Sequence, residues 1–182
     1  MDPEDLSGLG KELYDEESEY REYRLSIGEY ALITPPDKIS CHGIGSCLII
    51  VLYDPASGVG IGVHTLLPSY SNHQMEGEND KSRTRFTDTA IEHSLNKLQK
   101  HPKVKIENIV AKMTGGSEVL RGMDVASNVG KSNIDQARET FQELGVNIVA
   151  EDVGGDYGRI VEFDSTTGGL IVRKSNGEQQ VI

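Results

Sequence analysis

Tryptophan is absent from this chain of 182 residues, and phenylalanine occurs only 3 times. Its core must therefore be mainly aliphatic, at a length that supports one domain with a real core. Cysteine occurs only 2 times, too few for a disulfide scaffold. Basic residues are in deficit, with 18 Lys and Arg against 29 Asp and Glu and a formal net charge of −11. That balance argues against nucleic acid and anionic membrane as partners. No apolar run approaches the length of a membrane span, so no membrane insertion is expected. The N-terminus is acidic where a signal peptide would be basic, which points to a cytoplasmic protein. Repeats, a P-loop and a dinucleotide fingerprint are all missing, since Gly58-Val59-Gly60-Ile61-Gly62 lacks a strand-to-helix context.

What is present is concentrated between Ser40 and Leu67, a stretch holding both cysteines and two of the five histidines. Leu48 to Tyr53 and Val59 to Leu66 are apolar runs rich in β-branched residues, separated by the turn residues Asp54-Pro55-Ala56-Ser57-Gly58. They read as a hairpin. With a loop from Asp54 to Ser57, Leu52 faces Val59, Ile50 faces Ile61 and Leu48 faces Val63, giving one wholly aliphatic face. The other face pairs Val51 with Gly60, Ile49 with Gly62 and Cys47 with His64. Directly opposed side chains have Cβ atoms roughly 4.5–5.5 Å apart, so this register sets a thiol beside an imidazole.

A neighbouring imidazolium brings a cysteine pKa into a range of roughly 3.5–7.5 and makes the thiolate available as a nucleophile. The small residues Gly43, Gly45 and Ser46 precede Cys47. A backbone turning there could aim N–H groups at an oxyanion. Such a constellation suits acyl transfer on an amide or ester. Other readings stand beside it. Cys47 could be a small core hydrophobe, and His64 a hydrogen-bonded core histidine. Cys41 and Cys47 could form a disulfide, although a reducing compartment is expected. Cys41, His42, Cys47 and His64 could bind zinc, but their spacing matches none of the common patterns. The expectation is no metal and no cofactor.

The motifs extend beyond the hairpin. Gly43-Ile44-Gly45-Ser46-Cys47, Tyr53-Asp54-Pro55 and Gly60 to Pro68 are followed by Ala111 to Gly116, Asn128 to Asn133, Ala150 to Gly155, Arg159 and Thr167-Gly168. Together they resemble the chemotaxis receptor glutamine deamidase family, CheD, from about Ile27 to Lys174. The resemblance implies hydrolysis of glutamine side-chain amides on methyl-accepting chemotaxis receptors, giving glutamate and ammonia. It implies Cys47 and His64 as the catalytic pair and a CheC-type phosphatase as partner. The family's third catalytic member is a threonine, and Cys41 stands in its place. A thiol is a weaker hydrogen-bonding group than a hydroxyl, so Ser40 or a backbone carbonyl could take over its role. The rival functions are a related thiol acyl transferase or protease, and a non-enzymatic chemotaxis adaptor.

Residues 1–22 carry nine acids against Lys11 and Arg21. Residues 1–25 read as an acidic extension, either solvated or a docking segment, with Leu6, Leu9 and Leu13 at helical spacing. Residues 26–182 read as a single deamidase-like domain. Strands are expected at Ser26–Ile33, Lys38–Ile44, Asn108–Met113, Val146–Val153, Arg159–Phe163 and Leu170–Lys174. Helices are expected over Phe86–Lys100, capped by Thr84 or Thr87, and over Ser132–Leu144, opened by a capping box at Ser132–Asp135 and ended by Gly145. Ser69 to Arg85, with His73 and Met75, has the composition of a surface loop that could rim the site. Gly115, Gly116, Gly154 and Gly155 end strands; turn geometry suffices to explain them, and close approach of a substrate backbone is the functional alternative. The fold class expected is α/β, and the resemblance implies a three-layer α/β/β sandwich around a mixed sheet.

Overall fold

Leu48 to Tyr53 form a strand with every residue buried, and the other elements are laid around it. A computed structural model describes residues 10–13, 19–70, 83–118 and 128–182. Leu6, Leu9, His73 and Met75 lie outside the described residues. In chain order the strands are β1 (Lys11–Leu13), β2 (Glu22–Arg24), β3 (Tyr30–Ile33), β4 (Lys38–Ile44), β5 (Leu48–Tyr53) and β6 (Gly60–Thr65), then β7 (Val110–Gly115), β8 (Asn147–Val153), β9 (Arg159–Asp164), β10 (Leu170–Lys174) and β11 (Gln179–Val181). Helix α1 (Thr87–Gln99) lies between β6 and β7, and α2 (Val129–Leu144) between β7 and β8.

A five-stranded sheet, β3-β6-β5-β7-β8, lies against a six-stranded sheet, β1-β2-β4-β9-β10-β11. The five-stranded sheet is mixed: β7 and β8 run parallel, while β5 is antiparallel to both of its neighbours. Alternation along β5 serves two cores. Leu48, Ile50 and Leu52 pack with Ala90, Ile91 and Leu98 of α1 and Ile134, Ala137 and Phe141 of α2. Ile49, Val51 and Tyr53 pack with Ile39, Cys41, Ile44, Val161 and Phe163 of the six-stranded sheet. Helices, central sheet and second sheet make the expected three-layer α/β/β sandwich. A strand buried on both faces has no reason to alternate in polarity, which is why β5 reads as an unbroken apolar run. Each such fully buried side chain contributes about 1.5–3 kcal/mol relative to exposure.

The hairpin forms with a longer turn than expected. Asp54 N–H donates to the Val59 carbonyl at 3.0 Å and closes the loop there. Asp54 Oδ1 accepts from Ala56 N–H at 2.8 Å, and Gly58 takes φ 71°. Val59 is left free to bury itself on the helix side. Leu48 therefore faces Thr65, Ile49 faces His64, Ile50 faces Val63 and Leu52 faces Ile61. The slip is two positions, so each side chain keeps its face. The expected direct opposition of Cys47 and His64 is therefore not formed: Ile49 takes that place, and Cys47 lies beyond the last ladder pair.

Two helix starts also differ. Phe86 precedes α1 with no side-chain cap bond. Thr84 Oγ instead donates to the Gly28 carbonyl at 2.6 Å, and the Thr87 and Thr65 hydroxyls share a bond of 3.0 Å. α2 starts at Val129, ahead of the expected box, with Asn128 before it and no side-chain cap. Gly145 ends α2 as expected, at φ 69°. Glu22–Arg24, inside the stretch expected as an extension, pairs in parallel with β4, and Lys11–Leu13 pairs with Glu22–Arg24. Leu13 is thus in a strand, not on a helical stripe.

Candidate active site

The two-residue period of β6 puts His64 on the inter-sheet face, while Cys47 stands in the bend immediately before β5, close enough to Cys41 to raise its pKa. Ile49 is directly opposite His64, and Cys47 lies two residues before Ile49, one step past the last ladder pair Leu48 and Thr65. Cys47 is partly exposed, whereas His64 is only 4% exposed.

The third group arrives from the other sheet. Cys41 of β4 is fully buried, and its Sγ lies 3.2 Å from His64 Nδ1 and 3.2 Å from the Leu25 carbonyl oxygen. That carbonyl only accepts, and the Cys41 S–H is placed to donate to it. With the thiol so engaged, the sulfur is left to accept from Nδ1–H, and in that tautomer Nε2 is the basic nitrogen. His64 Nε2 is buried and has no hydrogen-bond partner among the described residues.

Burial decides the resting charges. It pushes the Cys41 thiol up to about 12, with the nearby Cys47 adding to the rise. It lowers His64, against opposing contributions from the Leu25 carbonyl and Glu29. It also raises Cys47, which its own backbone N–H partly offsets. The expectation of a depressed Cys47 pKa is therefore corrected: the resting pair is a neutral thiol and a neutral imidazole, because both sit in a low-dielectric layer that disfavours charge.

The other sequence candidates separate. Ser40 points away from His64 and donates from its hydroxyl to Glu22 Oε1. His42 is exposed while Cys41, its neighbour on β4, is buried, so the suggested zinc quartet does not converge. Among the described residues no group of three or more His, Cys, Asp or Glu side chains could hold a metal ion.

The segment ahead of Cys47 is held at three successive carbonyls. Gly45 O accepts from Ser117 N–H at 2.8 Å, and Cys47 O accepts from Gly116 N–H at 2.8 Å. Ser46 O accepts from Asn133 Nδ2 at 2.8 Å. Gly115 has φ 118°, and a Cβ there would collide with the Cys47 carbonyl; close backbone approach requires glycine at this position. Gly116, Gly154 and Gly155 line a cavity of about 410 Å³ with Glu118, Lys131, Ile134 and Asp156.

Beneath these loops lies a buried ion pair. Arg159 of β9 reaches Asp152 of β8 at 2.6 Å, with side chains 0% and 7% exposed. It also donates to Ser117 Oγ and, at 2.9 Å, to the Gly154 carbonyl. Burial alone would raise the Asp152 carboxyl, but Lys174 and Arg159 outweigh it and hold the group below its ordinary range. Sequence reasoning placed Arg159 and Asn133 in motifs without giving either a role. Their partners lie far along the chain, and no local spacing announces them.

Known proteins are similar to this chain over most of its length. The family described as CheD chemotactic sensory transduction matches residues 66–174. A curated protein of Natronomonas pharaonis, named probable chemoreceptor glutamine deamidase CheD, is 36% identical over 87% of this chain and 92% of its own length. The chemoreceptor glutamine deamidase CheD of Thermotoga maritima is 33% identical over 86% of this chain and 94% of its own. A probable chemoreceptor glutamine deamidase CheD of Haloarcula marismortui is 35% identical, covering 88% and 90%.

Proposed function

This chain belongs to the CheD family, and on that footing we propose that it is a chemoreceptor glutamine deamidase with Cys47 as nucleophile, His64 as base and Cys41 as the group that orients the base. The observation that carries the residue assignment is the 3.2 Å contact between Cys41 Sγ and His64 Nδ1. His64 Nε2, buried without a hydrogen-bond partner among the described residues, is the nitrogen this reading assigns to Cys47.

In the reaction, His64 Nε2 takes the Cys47 thiol proton as the sulfur attacks the glutamine amide carbon. A neutral base and a neutral thiol are the correct starting states for that transfer. The carbonyls of Gly45, Ser46 and Cys47 are all engaged, so the N–H groups around Ser46 and Cys47 are the segment's remaining polarity for the oxyanion. The imidazolium returns its proton to the departing nitrogen, and ammonia leaves. Water, deprotonated by His64, attacks the thioester carbon; glutamate forms and the thiol is restored. The cavity beside Gly116, Gly154 and Gly155 suits the backbone of a substrate segment. The partner most in keeping with the family resemblance is a CheC-type phosphatase, with the cytoplasm as the place of action. No helix among the described residues is long and apolar enough to cross a membrane.

The test is ammonia release from a purified chemoreceptor signalling fragment of the same organism, with Cys47→Ala as control. Deamidation at defined glutamines that vanishes in the variant supports the reading. Partner binding with no release from either protein would assign the chain to an adaptor role instead.

A further inference from the structure

The ladder between β5 and β6 stops at the pair Leu48 and Thr65. One step further, Cys47 and Leu66 would be the next pair, but the two chains part there. Asn133 fills the gap. Its Nδ2 donates one hydrogen to the Ser46 carbonyl at 2.8 Å and the other to the Leu66 carbonyl at 3.0 Å. Ser46 immediately precedes Cys47, and Leu66 is two residues past His64. A side-chain amide from α2 thus joins the segment carrying the thiol to the strand carrying the imidazole, at the point where backbone pairing no longer does so.

The amide's orientation is fixed by its partners. Both are carbonyls and can only accept, so the nitrogen must face them. Both of its hydrogens are then used, and Oδ1 is left buried with no hydrogen-bond partner among the described residues. Asn133 is fully buried. An unpaired buried carbonyl is costly, and an apolar side chain of similar volume would avoid that cost. Against that cost stand two satisfied carbonyls, at Ser46 and Leu66, so the group is retained for what it joins. Other contacts hold one member each: Gly116 N–H holds Cys47 O and Ser117 N–H holds Gly45 O, and neither touches the His64 strand.

We propose that Asn133 is a positioning residue for the deamidation reaction, a clasp that sets the reach between Cys47 and the basic nitrogen of His64. The inference rests on the functional reading above and adds to it a residue that touches neither thiol nor imidazole. With the clasp absent, thiol and base still exist, but the separation between them is no longer held. A displacement of that kind acts on the proton-transfer step more than on substrate binding.

Two variants test it. Asn133→Leu removes both donors and the orphaned carbonyl at similar volume; Asn133→Ser enters without strain and keeps one donor. The readouts are steady-state deamidation, the pH profile of Cys47 alkylation by iodoacetamide, and urea unfolding. In Asn133→Leu we expect kcat to fall about a hundredfold with KM little changed, as a misplacement of order 1 Å produces. Its unfolding midpoint should fall only modestly, since losing the donors to the part-buried Ser46 and Leu66 carbonyls is offset by removing the orphaned Oδ1. Its alkylation profile should move to higher pH in the same direction as that of His64→Ala, with Asn133→Ser lying between it and the parent. An unchanged kcat and alkylation profile in Asn133→Leu would overturn the proposal. If that variant does not fold, an unchanged profile in Asn133→Ser overturns it instead. Should the parent protein release no ammonia, the functional reading fails, and the alkylation arm still decides the clasp by itself.

Discussion

Cys41 Sγ touches His64 Nδ1 at 3.2 Å, across the interface between the two sheets. The contact joins β4 of one sheet to β6 of the other and gives each cysteine a distinct environment. Cys41 is sealed and Cys47 is partly open.

Alkylation should distinguish the two thiols. Cys41 is fully buried and its thiol is pushed up to about 12, so it carries almost no thiolate at neutral pH. Cys47 is raised too, but it is reachable, and in the proposed mechanism His64 takes its proton. Iodoacetamide at neutral pH, read by peptide mass, should modify Cys47 first. Equal or reversed modification would remove Cys47 as nucleophile.

Cys41→Thr should preserve or raise turnover. A hydroxyl at this position can accept from His64 Nδ1–H and donate to the Leu25 carbonyl, and it does both better than a thiol. Cys41→Ala should cost less than His64→Ala, because it removes the group that orients the base and not the base. Turnover of the three variants, measured beside the parent, checks the ranking; a Cys41→Thr protein less active than Cys41→Ala contradicts it.

The pH–rate profile should keep its acid limb below the ordinary histidine value of 6.5, since burial lowers His64. Protonation of Nε2 removes the base, so the rate should fall as pH drops through the depressed value. Stability should follow the same sign. Above 6.5 His64 is neutral in both folded and unfolded chains and contributes no pH dependence. As pH falls from there toward the depressed folded value, the unfolded chain binds the proton first and the fold loses stability. Rates and urea midpoints measured from pH 5 to 8 check both; an acid limb above 6.5 would mean that another group titrates.

Asp152→Ala should be among the more destabilising changes. It leaves the Arg159 guanidinium buried beside Ser117 and the Gly154 carbonyl with its countercharge gone. Removing one partner of a buried ion pair costs about 3–5 kcal/mol. Urea unfolding should show a loss of that order. Because the same network supports Gly116 and Ser117, just past β7, whose N–H groups hold the Cys47 segment, turnover should fall as well.

Composition and periodicity by themselves determined much of this protein. The aliphatic core follows from the shortage of aromatics, and the unbroken run Leu48–Tyr53 marked the strand buried on both faces. The two-residue period kept Ile49 and His64 on the expected inter-sheet face, because the observed slip of two positions leaves the parity intact where a slip of one would have reversed it. Gly145 marked the end of α2, since an αL residue there favours glycine. Tertiary structure decided the rest. The register depended on where Asp54 and Val59 closed the turn, and Val59 is buried by contacts with distant residues. Cys41 meets His64 only because two sheets pack face to face. The clasp at Asn133 and the Asp152–Arg159 pair likewise join residues that no local spacing relates. Local pattern fixes which way a side chain points, but only the packing of one layer on another determines what it meets there.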